Sequence, residues 1–184
     1  MGLAMLQKIM DFDHKISGKI RIQPEQKFLW RLAAFLAHTG DSWYWLGALF
    51  LLWLLASGEW HYKTAFLAIG IAVQIVIIFA IKFTVRRSRP EGQWGAFYRN
   101  TDPHSFPSGH AARAGLLLAI AVGLGPAWFA LVITVWAPIM SLARVVMGVH
   151  YLVDVVAGLL IGILIGWLVL LLEPFWLQLV PFVF

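Results

Sequence analysis

His150 and Asp154 stand four residues apart in GVHYLVDVVAG (148–158), at the mouth of an otherwise apolar run. On a helix that spacing puts both side chains on one face. A histidine held by a carboxylate can act as a nucleophile or carry a proton. A second histidine, His110, closes the tetrapeptide Pro107-Ser108-Gly109-His110. There Pro107 and Gly109 shape a turn, and the amides of Ser108, Gly109 and His110 can point at an anion from a helix N-terminus. Lys82, Arg89 and Arg144 supply three cations in neighbouring segments.

The elements that must position these groups belong to a membrane protein. Of the 184 residues, 61% are hydrophobic and only 12% charged. Soluble domains carry about twice that charged fraction. The expected fold is an all-α integral membrane bundle, a single domain over residues 1–184. Five spans are predicted: Ser42–Ala56, Thr64–Val85, Ala111–Leu124, Trp128–Met147 and Val153–Leu172, a transmembrane bundle over 42–172. Thr39-Gly40-Asp41 offers a turn and an N-cap before the first. Residues 1–38 read as interfacial amphipathic helices, with Leu3, Leu6, Ile9 and Met10 at helical spacing and Pro24 as a break. A sixth span from that region is the alternative. Lys8, Asp11, Asp13 and Lys15 interrupt any signal-peptide pattern.

Zero cysteines exclude a disulfide framework, a zinc-thiolate site and a cysteine nucleophile. Gly158, Gly162 and Gly166, and Ala111, Gly115 and Ala119, form small-residue stripes that suit close packing inside one chain. No oligomer and no nucleic-acid partner is predicted. Gln74 reads as a helix-to-helix hydrogen bond. His14, His38, His61 and His104 read as interfacial or loop residues.

Alternation of spans brings the polar groups together. The loop 86–107 is long and polar, and it lies on the face where helix 64–85 ends. The chain crosses twice more before His150, so Lys82, Arg89, Ser108, His110, Arg144, His150 and Asp154 share that face. Cations at membrane depth need partners, and Asp154 is a single negative charge. A dianionic phosphate suits the remainder, because arginine offers a donor fork and lysine a point charge.

Three blocks carry a resemblance: KFTVRRSRP (Lys82, six residues, then Arg89-Pro90), PSGH (107–110) and RVVMGVHYLVD (Arg144, His150, Asp154). Together they resemble the type 2 phosphatidic acid phosphatase family. The resemblance implies metal- and cofactor-independent hydrolysis of a lipid phosphate or diphosphate through a phosphohistidine. His150 would be the nucleophile, Asp154 its orienting carboxylate and His110 the general acid and base. Lys82, Arg89, Ser108, Gly109 and Arg144 would bind phosphate. Arg86, Arg87 and Arg113 are candidate head-group contacts. The family's third block usually begins Ser-Arg, whereas Ala143 precedes Arg144 here, which places one phosphate hydrogen bond in doubt. Soluble haloperoxidases share the blocks but not five apolar segments.

Isoprenyl diphosphates, phosphatidylglycerol phosphate and phosphatidic acid are the candidate substrates. A phosphotransferase using the same phosphohistidine and a non-catalytic lipid-binding or transport protein are the alternative functions. The catalytic face is open. Thirteen of the fourteen Lys and Arg fall on the active-site face, which the positive-inside rule puts in the cytoplasm. Resemblance to bacterial relatives leans the other way.

Overall fold

The computed structural model describes residues 2–91 and 102–184; residues 92–101 of the predicted loop, and the side chains of Leu3 and Leu6, lie outside the described residues. The described elements are helices: α1 (Gly2–Lys19), α2 (Lys27–His38), α3 (Ser42–Leu55), α4 (Glu59–Val85), α5 (Gly109–Leu124), α6 (Ala127–Val146), α7 (Leu152–Leu171), α8 (Glu173–Leu179) and a 3₁₀ turn, Pro181–Val183. One isolated bridge joins Ser88 to His104. Among the described residues, α4, α6 and α7 are long and apolar enough to cross a membrane, while α3 and α5 are shorter apolar helices. Their outer faces carry exposed Val76, Leu131 and Leu164, as a lipid-facing surface requires. The chain is therefore an all-α integral membrane protein.

The most extensive contact runs between α5 and α7, which both start at the active-site end. The small-residue stripes make it possible. A Cβ at Gly162 would lie 1.9 Å from the Ala112 carbonyl oxygen, so any larger side chain would force the two backbones apart. This contact also fixes the register at the helix mouths. The Ser108 amide donates to the Asp154 carbonyl at 2.9 Å, tying the PSGH turn to the first turn of α7.

The amphipathic pattern of α1 is inverted relative to a soluble helix. Asp13 and Ser17 are buried, while Met5, Ile9 and Phe12 are exposed. Its polar face does a specific job. Ser17 Oγ accepts from the Leu152 amide at 2.9 Å, and Asp13 Oδ1 from the Val153 amide at 3.1 Å. Asp154 Oδ2 accepts from the Tyr151 amide at 2.9 Å. Amides at a helix start lack intrahelical partners, and here a separate helix supplies them. His14 stacks on Tyr151 with ring centroids 4.4 Å apart, holding α1 across the mouth of α7. In α2, Ala33 and Ala37 pack against Ala143 and Met147 near the end of α6.

Candidate active site

Each block is built by a different local device. In the first, α4 ends at Arg86, whose left-handed backbone (φ 53°, ψ 35°) reverses the chain while its amide donates to the Lys82 carbonyl at 2.9 Å. The reversal folds Arg89 back beside Lys82. In the second, Ser108 caps α5, its Oγ accepting from the Ala111 amide at 3.4 Å. In the third, α6 ends at Val146 and the Arg144 carbonyl accepts from the amides of Val149 and His150, at 3.1 and 3.2 Å. Gly148 provides the left-handed turn (φ 68°) that this requires. Arg144 and His150 are thereby held at opposite sides of one tight turn.

These devices bring Lys82, Arg89, Gly109, His110, Arg144 and His150 onto one cavity of about 180 Å³. Its lower wall, along α4, is Ile75, Ile78 and Phe79, with Gln74 below them. Lys82, Arg89, Arg144 and His150 are almost fully buried. His150 Nε2 lies 3.1 Å from Arg89 Nη1, so that ring nitrogen faces the cations. Burial disfavours a charged imidazole, and Arg89, Arg144 and Lys82 add to that effect; the His150 pKa is pushed well below its ordinary value. The resting ring is neutral, with a lone pair to offer.

Asp154 behaves differently from its expected pairing. Its Oδ2 is 3.7 Å from His150 Nδ1, too long for a hydrogen bond, and is occupied by the Tyr151 amide. Its Oδ1 accepts from Arg87 Nη1 at 2.7 Å, and Arg87 Nη2 reaches Asp13 at 2.8 Å. Asp154 therefore stands behind the His150 ring within an Asp13–Arg87–Asp154 chain of ion pairs.

Several predicted site residues are engaged within the protein. Arg87 is not placed as a head-group contact: it faces inward, between two buried carboxylates. Arg113 is buried and donates to the Gly40 carbonyl and, at 2.6 Å, to Ser42 Oγ, although it lies at the edge of the cavity. The Ser108 amide is taken by Asp154 and its side chain caps α5, so Ser108 sits behind the cavity wall. Arg86 stays at the surface, donating to the Phe83 carbonyl. Gln74 is buried and its Oε1 has no hydrogen-bond partner, so the predicted interhelical bond is not made through that atom.

Three carboxylates escaped the sequence reading. Asp102 Oδ2 bridges Lys82 Nζ at 2.6 Å and Arg89 Nη2 at 2.7 Å. Asp13 caps α7, as described above. Asp41, read as an N-cap, makes no capping hydrogen bond to α3; its Oδ1 contacts His110 Nε2 at 2.7 Å and its Oδ2 contacts His38 Nδ1 at 2.8 Å. Burial opposes the ionised Asp41, but the hydrogen bonds and charges of the two histidines outweigh it and hold its pKa at about 2. Topology carried one signal for Asp41, since its turn falls on the same membrane face as His110.

The family model described as the PAP2 superfamily matches residues 63–177. A decaprenylphosphoryl-5-phosphoribose phosphatase of Mycobacterium tuberculosis is 37% identical over 121 residues, covering 64% of this chain and 59% of that protein. The chain thus spans less than two thirds of that relative's length. An undecaprenyl-diphosphatase of Sulfolobus acidocaldarius is 27% identical over 150 residues, covering 77% of this chain and 69% of that protein. Among solved structures, a transmembrane PAP2 type phosphatidylglycerolphosphate phosphatase from Bacillus subtilis superposes with a TM-score of 0.73 at 21% identity, covering 91% of this chain and 87% of that one. That last likeness is one of fold.

Proposed function

This chain belongs to the PAP2 superfamily, and from that premise we propose that it is a membrane phosphatase hydrolysing a lipid phosphate or diphosphate, without a metal, through a phosphohistidine on His150. One observation carries the reading. Both block histidines and all three block cations line a single cavity whose wall along α4 includes the apolar Ile75, Ile78 and Phe79. A lipid presents that combination of a charged phosphate and an attached hydrocarbon.

The cations set the charge of the ligand. Lys82, Arg89 and Arg144 bring three positive charges, and Asp102 brings one negative charge between the first two. This concentration of positive charge suits an anionic phosphate. With the Gly109 amide at the start of α5, these groups hold the phosphoryl oxygens as charge redistributes.

His150 Nε2 attacks phosphorus as the bond to the leaving oxygen breaks, and His110 gives that oxygen a proton. The phosphorylated imidazole is cationic, and Asp154 behind it stabilises that charge. Water then attacks the phosphorus, His110 takes the water's proton, and His150 is released neutral. Each proton lent by His110 is returned within the cycle. The named substrates of the two curated relatives carry polyprenyl chains, and the structural neighbour's is a glycerolipid. Both kinds of lipid suit an apolar wall beginning directly below the phosphate site.

The test is phosphate release by protein purified in detergent with EDTA, from undecaprenyl diphosphate, farnesyl diphosphate, phosphatidylglycerol phosphate and phosphatidic acid. Release that survives EDTA and disappears in His150→Ala is expected, and the ranking of rates identifies the lipid class. Substrate loss only when an acceptor alcohol is added, with the phosphate recovered as an ester of that alcohol and none released, would make the chain a phosphotransferase. Release abolished by EDTA would overturn the metal-free mechanism.

A further inference from the structure

The turn between α2 and α3 is built to a degree that a surface connection does not need. Trp136 of α6 donates from Nε1 to Thr39 Oγ1 at 2.9 Å, and Trp45 of α3 donates to the Thr39 carbonyl at 2.9 Å. Thr39 Oγ1 in turn donates to the Leu36 carbonyl at 2.6 Å. Arg113 of α5 holds the Gly40 carbonyl and Ser42 Oγ. Gly40 packs so tightly that a Cβ would meet Met140 Sδ at 2.6 Å and His110 Cδ2 at 3.2 Å. Donors from three helices fix this turn, and the residue they fix is Asp41.

We propose that Asp41 is a positioning residue for proton transfer by His110, a role that rests on the phosphatase reading above. The geometry carries it. Asp41 Oδ1 lies 2.7 Å from His110 Nε2, while the ring belongs to the cavity wall. A carboxylate accepts hydrogen bonds only, so Nε2 carries a proton in either charge state of the ring. The neutral ring then keeps its lone pair on Nδ1, and that nitrogen exchanges the catalytic proton. In the first step Nδ1–H protonates the leaving oxygen; in the second, Nδ1 takes the proton of the attacking water. Asp41 also supplies the negative charge that offsets Arg113 and Arg144 beside the ring when it is an imidazolium. His38 Nδ1, on the other carboxylate oxygen at 2.8 Å, keeps the Asp41 plane turned toward His110.

The experiment compares Asp41→Asn with wild type on two substrates that differ in leaving group. One is a lipid phosphate with an alkoxide leaving group; the other is p-nitrophenyl phosphate, whose leaving group departs as the anion. The readout is kcat/KM, which reports events through the first irreversible step. A loss on the order of 100-fold on the lipid, with less than about 5-fold on the aryl ester, is expected for impaired general-acid action. Equal losses on both esters, a change confined to KM, or no loss would overturn the role. No release from any substrate by wild type would be the failure of the phosphatase reading instead. A second measurement needs no variant. The ¹⁵N spectrum of labelled wild-type protein should give neutral His110 as the Nε2–H tautomer, and an Nδ1–H tautomer would overturn the proposal.

Discussion

The two histidines of the cavity each have a carboxylate, but the two pairs are made differently. His150 and Asp154 come from one stretch of chain, four residues apart, and stand 3.7 Å apart with the carboxylate bound by Arg87 and a backbone amide. His110 and Asp41 come from segments 69 residues apart and are in direct contact at 2.7 Å. The difference matches the two tasks proposed for them. A nucleophile must rest neutral, and a carboxylate tight against Nδ1 would make the His150 ring more basic and favour its protonated form. Its carboxylate matters only once the ring is phosphorylated. An acid–base group must pass through its charged form in every turnover, and a close carboxylate offsets part of the positive charge around the ring in that form.

The largest way to break this comparison is at the nucleophile. His150→Ala should lower phosphate release by about 10⁴-fold or more, to background in a phosphate assay, because the proposed nucleophile is gone. A residual rate within about tenfold of wild type would remove His150 from that role. The next test concerns the buried support behind Asp154. Arg87→Ala leaves Asp13 and Asp154 buried without their shared cation. That should cost about 3–5 kcal/mol of stability, read as a lower thermal midpoint in detergent. Loss of activity without loss of stability would mean that Arg87 touches substrate after all.

Acidification tests the neutral resting state of the His150 ring. Burial depresses the His150 pKa in the folded protein below its ordinary 6.5. Below that pH the unfolded chain takes up a proton that the folded one refuses, so stability should fall as pH drops from 7 to 5. The decline should be shallower in His150→Gln. Asp41 adds no pH dependence in this window. Its folded value of about 2 lies below its ordinary 3.8, so its contribution is complete above 3.8 and is lost only as pH falls toward 2. The smallest effect belongs to Arg86→Ala. Its side chain is exposed and bonded to its own helix terminus, so stability should stay within about 0.5 kcal/mol of wild type. Activity on lipid should change less than twofold if the side chain makes no head-group contact.

What the sequence made legible follows the same divide. Hydropathy placed the five apolar helices, three of which, α4, α6 and α7, are long and apolar enough to cross a membrane. It misplaced the start of α4, which begins at Glu59 rather than Thr64, since the polar turn EWHYK continues the helix beyond the apolar stretch. Alternation of spans put both histidines and the three cations on one face, and the fold gathers them around one cavity. The partners of those groups were not legible. Asp41 and Asp13 reach their partners from distant segments, and a single sequence holds no record of pairings across 69 or 74 residues; Asp102 comes from the long loop itself, 13 residues from Arg89. Arg87 and Arg113 are candidate head-group contacts by sequence because charge at a helix mouth usually seeks water or head groups. Both turn inward here, toward acceptors that the sequence reading had not placed.

The most direct test of the account is to trap the intermediate. His110→Asn, given ³²P-labelled p-nitrophenyl phosphate in EDTA, should still pass the first step, since that leaving group needs no proton, and then stall before water attack. Alkaline quenching should leave label on the protein that is stable to base, labile to acid and mapped by mass spectrometry to His150. Turnover with no label on His150, or label on another residue, would contradict the phosphohistidine mechanism.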